Sequence, residues 1–209
     1  MIEILWAKVS DLDESGLSYA LSDYRWEKLR AQKLPEARRT GIGAELLLLK
    51  ALRRRCPDLA LPPTIVREPD GRPVLSGCEK HFSLSHSGVY AACALSDAPV
   101  GLDIQTPRSV DESFSARFLA SEERSYIEQS ADKSVAFAEI WTRKESLLKA
   151  SGEGLRRELR SFSTVPDALR LPEDLKNCVF RTERFPEFFL SVCSFALGEA
   201  IHIEKTELP

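Results

Sequence analysis

Apolar and polar residues alternate at the start of the chain, Ile2-Glu3-Ile4-Leu5-Trp6, and this period of two predicts a strand over residues 2–9. Helical spacing follows over 17–32 and 35–55, and shorter apolar runs predict strands at 64–67, 81–84, 89–95 and 100–104. The second half repeats the order, with helices expected over 111–129 and 133–150 and strands at 159–164, 177–184, 188–195 and 200–204. Helices followed by a meander suggest one antiparallel sheet covered by helices in each half, an α+β fold. Residues 89–95 and 188–195 match in composition and in place within their halves, a hint of internal duplication. The expected organisation is a pseudo-dimer of two similar subdomains, 1–105 and 106–209, with the seam near Thr106-Pro107-Arg108.

Two positions interrupt these apolar patterns. Asp103 lies in the strand Val100-Gly101-Leu102-Asp103-Ile104-Gln105, and Glu145 lies in line with Ala138, Trp141 and Leu148 on the core-facing side of a helix, at i, i+3, i+7, i+10 spacing. A buried carboxylate needs a partner. Asp103 and Gln105 are two apart on a strand and share a face, so with Glu145 they form an all-oxygen set of the kind that suits Mg²⁺ and substrate phosphates. Lys149, one turn beyond Glu145, can pair with it or reach a phosphate oxygen. Spacing alone leaves open a purely structural Glu–Lys pair and a satisfied Asp.

Composition narrows the class. The 209 residues, 43% hydrophobic and 29% charged, suffice for one large domain or two small ones. No apolar run approaches the roughly 20 residues that span a bilayer, and the N-terminus reads as a strand rather than a signal peptide, so no membrane is expected and the cytoplasm is favoured. Cys56, Cys78, Cys93, Cys178 and Cys193 lack any C-x-x-C pairing and read as reduced packing residues. Residues 25–55 carry ten Lys and Arg against three acids, a surplus of seven positive charges in a chain of net charge −3. An anionic ligand or acidic partner is one use of that stretch and a solvated helix face the other. The acidic total and the lack of interleaved aromatics argue against nucleic acid.

The segment Phe82-Ser83-Leu84-Ser85-His86-Ser87-Gly88 closes a strand and turns at Gly88, projecting Ser85 and His86 toward an anion. Adjacent residues make a poor nucleophile and base, and no G-x-S-x-G elbow is present. Neither is a G-x-x-x-x-G-K-[ST] loop nor a G-x-G-x-x-G fingerprint.

Taken together, Gly71-Arg72-Pro73, Phe82-Ser83-Leu84-Ser85-His86-Ser87, Val100-Gly101-Leu102-Asp103-Ile104, Phe118-Leu119-Ala120-Ser121-Glu122-Glu123 and the run from Trp141-Thr142-Arg143-Lys144-Glu145-Ser146 to Gly154-Leu155 resemble, in order and separation, the 4′-phosphopantetheinyl transferases of the surfactin-synthetase-activating type. The resemblance implies a pseudo-dimer with coenzyme A as substrate at the seam, Mg²⁺ as cofactor, an apo acyl or peptidyl carrier protein as partner, and a monomeric chain. It assigns Asp103 and Glu145 to the metal, with Gln105 standing where many members have Glu. Lys149 matches the lysine that contacts the phosphates and assists the leaving group. Ser85 and His86 match the pair at the coenzyme phosphates, and Arg39, Thr40 and Arg72 resemble contacts around the 3′-phosphate and base. Glu123 matches an acid proposed as metal ligand or as base toward the incoming serine, so Glu123, Glu145 and Lys149 are the expected catalytic set. The rival reading is a non-catalytic duplicated α+β module that binds an acidic protein.

Overall fold

The computed structural model describes residues 1–14, 17 and 20–208. The chain divides into two compact units, one of Met1–Val100 with Gly198–Pro209 and one of Gly101–Leu197.

The first unit is a four-stranded sheet in the order β4-β5-β1-β9, formed by β1 (Ile2–Lys8), β4 (His81–Ser87), β5 (Tyr90–Ser96) and β9 (Ile201–Lys205). β1 runs antiparallel to β5 and parallel to β9, in the register Ile2 to Ile201 and Ile4 to Ile203. Across this sheet lies α2 (Pro35–Arg55), preceded by α1 (Asp23–Arg30). Helix α2 starts with proline at its first position, where the missing N–H costs nothing, and ends in three arginines that suit the negative end of the helix dipole. Its leucines, Leu46 to Leu49 and Leu52, enter one core with Leu5, Val9, Phe82, Cys93 and Leu95. Each such fully buried side chain contributes about 1.5–3 kcal/mol against exposure. A separate two-stranded ribbon pairs β2 (Ile65–Arg67) with β3 (Pro73–Leu75).

The second unit has a three-stranded sheet in the order β6-β8-β7, from β6 (Val100–Gln105), β7 (Val179–Arg184) and β8 (Phe189–Ser194). Its helices are α3 (Glu112–Phe118), α4 (Ser121–Gln129) and α5 (Lys133–Ser151). Asp132 caps α5 by accepting from the Ser134 and Val135 N–H groups, and Gly152 ends it at φ +73°, a conformation glycine adopts without strain. Helix α5 packs on β8 as α2 packs on β5, and both strands are buried along their whole length.

Several expectations need adjusting. The C-terminal strand pairs with β1, so residues 198–209 group with the first unit, and the contact boundary falls at Val100/Gly101 rather than after Gln105. The helix expected over 17–32 is described only from Asp23 to Arg30, and Ser18 and Tyr19 lie outside the described residues. The helix expected over 111–129 is two, broken at Leu119 and Ala120, which are extended. The strand expected over 159–164 is a 3₁₀ turn at Leu159–Ser161 and a single bridge from Ser163 to Arg170.

Candidate active site

Gly101, Asp103 and Gln105 occupy alternate positions of β6 and therefore one face, and that face meets α5. A Cβ on Gly101 would stand 1.9 Å from the Ser146 carbonyl oxygen and 2.4 Å from the Ala150 nitrogen, so strand and helix touch backbone to backbone there. This close approach lets Lys149 donate from Nζ to Asp103 Oδ1 at 2.7 Å and to the Leu102 carbonyl at 3.0 Å. Asp103 is buried, whereas the Lys149 side chain keeps 30% of its exposure. Glu145 is half-buried, and its carboxyl is held above the usual range first by burial and then by the Asp103 charge, with Lys149 opposing. The Gln105 amide donates to the Thr106 carbonyl at 2.9 Å.

This donor set fits a hard divalent cation. Among the described residues no group of three or more His, Cys, Asp or Glu side chains gathers as a metal shell. A cation here would rest on the Asp103 and Glu145 carboxylates, which repel one another without it, and would take its remaining oxygens from water and substrate.

Glu123 lies apart from the Asp103–Lys149 pair, among polar partners of its own. It is fully buried, and its oxygens accept from the Ala120 N–H at 2.9 Å, Lys144 Nζ at 2.9 Å, the Thr164 N–H at 2.9 Å and the Thr164 hydroxyl at 3.1 Å. Four hydrogen bonds thus hold the Glu123 carboxylate in one orientation. Its partner Lys144, which the sequence reading passed over, is also fully buried. The signal was present: Phe137, Ile140, Lys144 and Leu147 repeat the i, i+3, i+7, i+10 spacing one residue earlier than the stripe containing Glu145, and all four have no exposure.

In the first unit, Arg39 and Thr40 lie in the opening turns of α2, beside a depression of about 90 Å³ bordered by Val9, Ser10, Glu36, Gly88 and Val89. Arg39 Nη1 donates to the Ser10 carbonyl at 2.7 Å, and the buried Thr40 hydroxyl bonds back to the carbonyls of Glu36 and Ala37. Arg72 borders a different depression with Lys80, His81 and Phe82, and its guanidinium pairs with Glu68. Burial and the Arg72 charge together lower the His81 imidazole pKa. Strand β4 runs to Ser87 and the chain turns at Gly88 as expected, and along the strand Ser85 and His86 point to opposite faces, Ser85 buried and His86 exposed. Part of the basic surplus of residues 25–55 is spent inside the unit. Arg25 pairs with buried Glu45, Arg54 with Glu3 and Glu204, and Arg55 with Asp97.

Residues 99–192 match the family model of the 4′-phosphopantetheinyl transferase superfamily. The chain is 32% identical to the 4′-phosphopantetheinyl transferase psf-1 of Bacillus pumilus over 84% of its own length and 78% of that protein. It is 31% identical to the transferase gsp of Aneurinibacillus migulanus, covering 78% and 70%, and 30% identical to a 4′-phosphopantetheinyl transferase of Bacillus subtilis, covering 87% and 85%. The chain belongs to the 4′-phosphopantetheinyl transferase superfamily. Within it, the likeness is to the surfactin-activating type, and the chain is a transferase of the phosphopantetheinyl group. No described helix is long and apolar enough to cross a membrane.

Proposed function

We propose that this protein moves the 4′-phosphopantetheine group of coenzyme A onto a serine of an apo acyl or peptidyl carrier protein, with Mg²⁺ as cofactor and 3′,5′-ADP as the second product. The observation that supports this most is the Asp103–Lys149 ion pair beside Glu145, where two carboxylates and a half-exposed ammonium meet on one face of α5 and β6. The serine hydroxyl attacks the β-phosphorus, the bond to the leaving phosphate breaks, and charge grows on the pyrophosphate oxygens. Lys149 meets that charge by exchanging Asp103 for a phosphate oxygen, an interaction stronger in the transition state than in the ground state. Asp103 and Glu145 would hold Mg²⁺, which would supply positive charge to the same oxygens. The serine proton passes to water held at the site, the alternative to Glu123 that the resemblance implies.

In this reading Arg39, Thr40, Arg72, Ser85 and His86 contact the non-reacting part of the coenzyme, as the resemblance implies, with Arg39 and Thr40 at one depression and Arg72 at another. Gln105 contributes a neutral oxygen. The matching arrangements of α2 on β5 and α5 on β8 support descent from a duplicated unit, a pseudo-dimer that works as a monomer in the cytoplasm.

The test is to incubate the chain with coenzyme A, Mg²⁺ and an apo carrier, and to weigh the carrier. A gain of one phosphopantetheine, dependent on Mg²⁺ and lost by at least about 100-fold in Asp103→Asn with the fold retained, is the expected result. An unmodified carrier, or transfer indifferent to Asp103→Asn, would refute the proposal.

A further inference from the structure

We propose that Lys144, with Glu123 as its counter-ion, is a positioning residue for the transfer: a buried ion pair that fixes the rotation of α5 about its axis and thereby aims Glu145 and Lys149 at β6. The inference rests on the reading of Asp103, Glu145 and Lys149 as the reacting site.

Both side chains have no exposure, and all their valences are used. Lys144 Nζ donates to Glu123, to the Leu159 carbonyl at 2.8 Å and to the Phe162 carbonyl at 3.0 Å, and it lies 3.9 Å from the centre of the Phe162 ring. Three donors meet three acceptors. The carboxylate in turn gathers the N-terminal end of α4 through Ala120 and the segment after Phe162 through Thr164. One ion pair therefore ties α4, α5 and residues 159–164 together. Arg143 adds a second tie to the same segment, donating from Nε to the Thr164 carbonyl at 2.6 Å.

A hydrophobe of similar volume is often as stable as a buried pair, so stability alone does not explain a charge at position 144. Position explains it better. Residues 144 and 145 are about 100° apart around the helix, and Lys149 follows Glu145 by one turn, so any rotation of α5 that released Lys144 would swing both site residues by the same angle. A methionine at 144 fills space without specifying that angle.

The test uses the full chain and the variants Lys144→Met, Glu123→Gln and the double variant. The readouts are Tm, transfer kinetics with a carrier, and Mn²⁺ binding in the absence of coenzyme A, followed by calorimetry. Lys144→Met is expected to weaken Mn²⁺ binding about tenfold and to lower kcat by about 10- to 100-fold, with the KM for coenzyme A nearly unchanged. The double variant is expected to be no worse than Lys144→Met alone, because both members of one unit are gone and no buried charge is stranded. If Lys144→Met lowers Tm but leaves Mn²⁺ affinity and kcat as in wild type, the pair is only structural and the proposal fails. It fails as well if Glu123→Gln abolishes transfer with Mn²⁺ affinity intact and the loss adds to that of Lys144→Met, the behaviour of a proton acceptor.

Should Lys144→Met not fold, Thr164→Val removes one hydroxyl from Glu123 at equal volume. A loss of roughly two- to fivefold in Mn²⁺ affinity supports the proposal and no change overturns it. A wild-type chain that neither transfers nor binds Mn²⁺ overturns the functional reading and this inference with it, whereas an active wild type with unaffected variants overturns this inference alone.

Discussion

Gly101→Ala tests the closest contact in the site. The added methyl would sit 1.9 Å from the Ser146 oxygen, where real Cβ contacts stay beyond 3.0 Å, and the obstacle is helix backbone that no rotamer can move aside. Strand β6 and helix α5 must therefore separate by at least the 1.1 Å difference between those two distances. Overpacking of this kind costs about 1–3 kcal/mol. For a chain of this length that is a fall in Tm of roughly 2–12 °C. The same displacement carried to Lys149 would stretch its 2.7 Å bond to Asp103 by about 1 Å, past hydrogen-bond range, and a misplacement of that size costs on the order of 100-fold in rate. Thermal unfolding and carrier modification measured on one preparation would show both losses, deepening from Gly101→Ala to Gly101→Val. A Gly101→Ala variant with the wild-type Tm and rate would show that β6 and α5 do not meet at backbone distance, and would remove the basis for reading Asp103 and Lys149 as one unit.

Three further outcomes are expected. Asp97 gathers Lys80, Arg55 and the Met1 amine, and Lys80 above all holds its carboxyl down at about 2. A depressed carboxylate stabilises the fold above its unfolded pKa, so the Tm of Asp97→Asn should fall below wild type above about pH 4 and merge with it as pH drops through about 2; a gap that persists at pH 2 would contradict this. Arg54→Ala strips the partner from Glu3, which is buried, so a loss of about 1–2 kcal/mol in denaturant unfolding is expected; a raised KM for carrier at unchanged stability would instead assign Arg54 to partner steering. Burial drives the Cys93 thiol far above its usual pKa, and the contact with Cys178 followed by burial does the same for Cys193, so a thiol reagent at pH 8 should label at most Cys56, Cys78 and Cys178 in the folded chain; five labels without unfolding would refute the packing.

Local signals reached far in some places and failed in others for physical reasons. Helix α2 begins and ends at the residues its pattern indicates, because Pro35 and the apolar stripe act within the segment itself. The break between α3 and α4 has no glycine or proline to announce it. Ala120 is extended there and its N–H is taken by Glu123, whose own orientation depends on Lys144 and Thr164 far along the chain. The alternating run Leu159 to Thr164 has strand character, yet the carbonyls of Leu159 and Phe162 turn to Lys144 instead of a neighbouring strand. The ion pair of Asp103 and Lys149 was only half legible, since the partner that spacing suggested for Lys149 was Glu145 and its ion pair runs to the strand. A buried lysine next to a glutamate was overlooked because charge normally marks the wet side of a helix.

The pairing of β9 with β1 has a consequence for biosynthesis. Residues 2–6 find their parallel neighbour in residues 201–205, so the sheet of the first unit acquires its edge strand after residues 101–197 have been synthesised, while Gly101–Leu197 is contiguous and has its sheet partners earlier. Until then β1 carries an open edge beside Ile2, Ile4 and Leu5, a template for wrong pairing in a nascent chain. The order of synthesis thus lets the inserted unit complete its sheet first, and makes a truncation before Ile201 a lesion in the sheet that contains Ile2–Lys8.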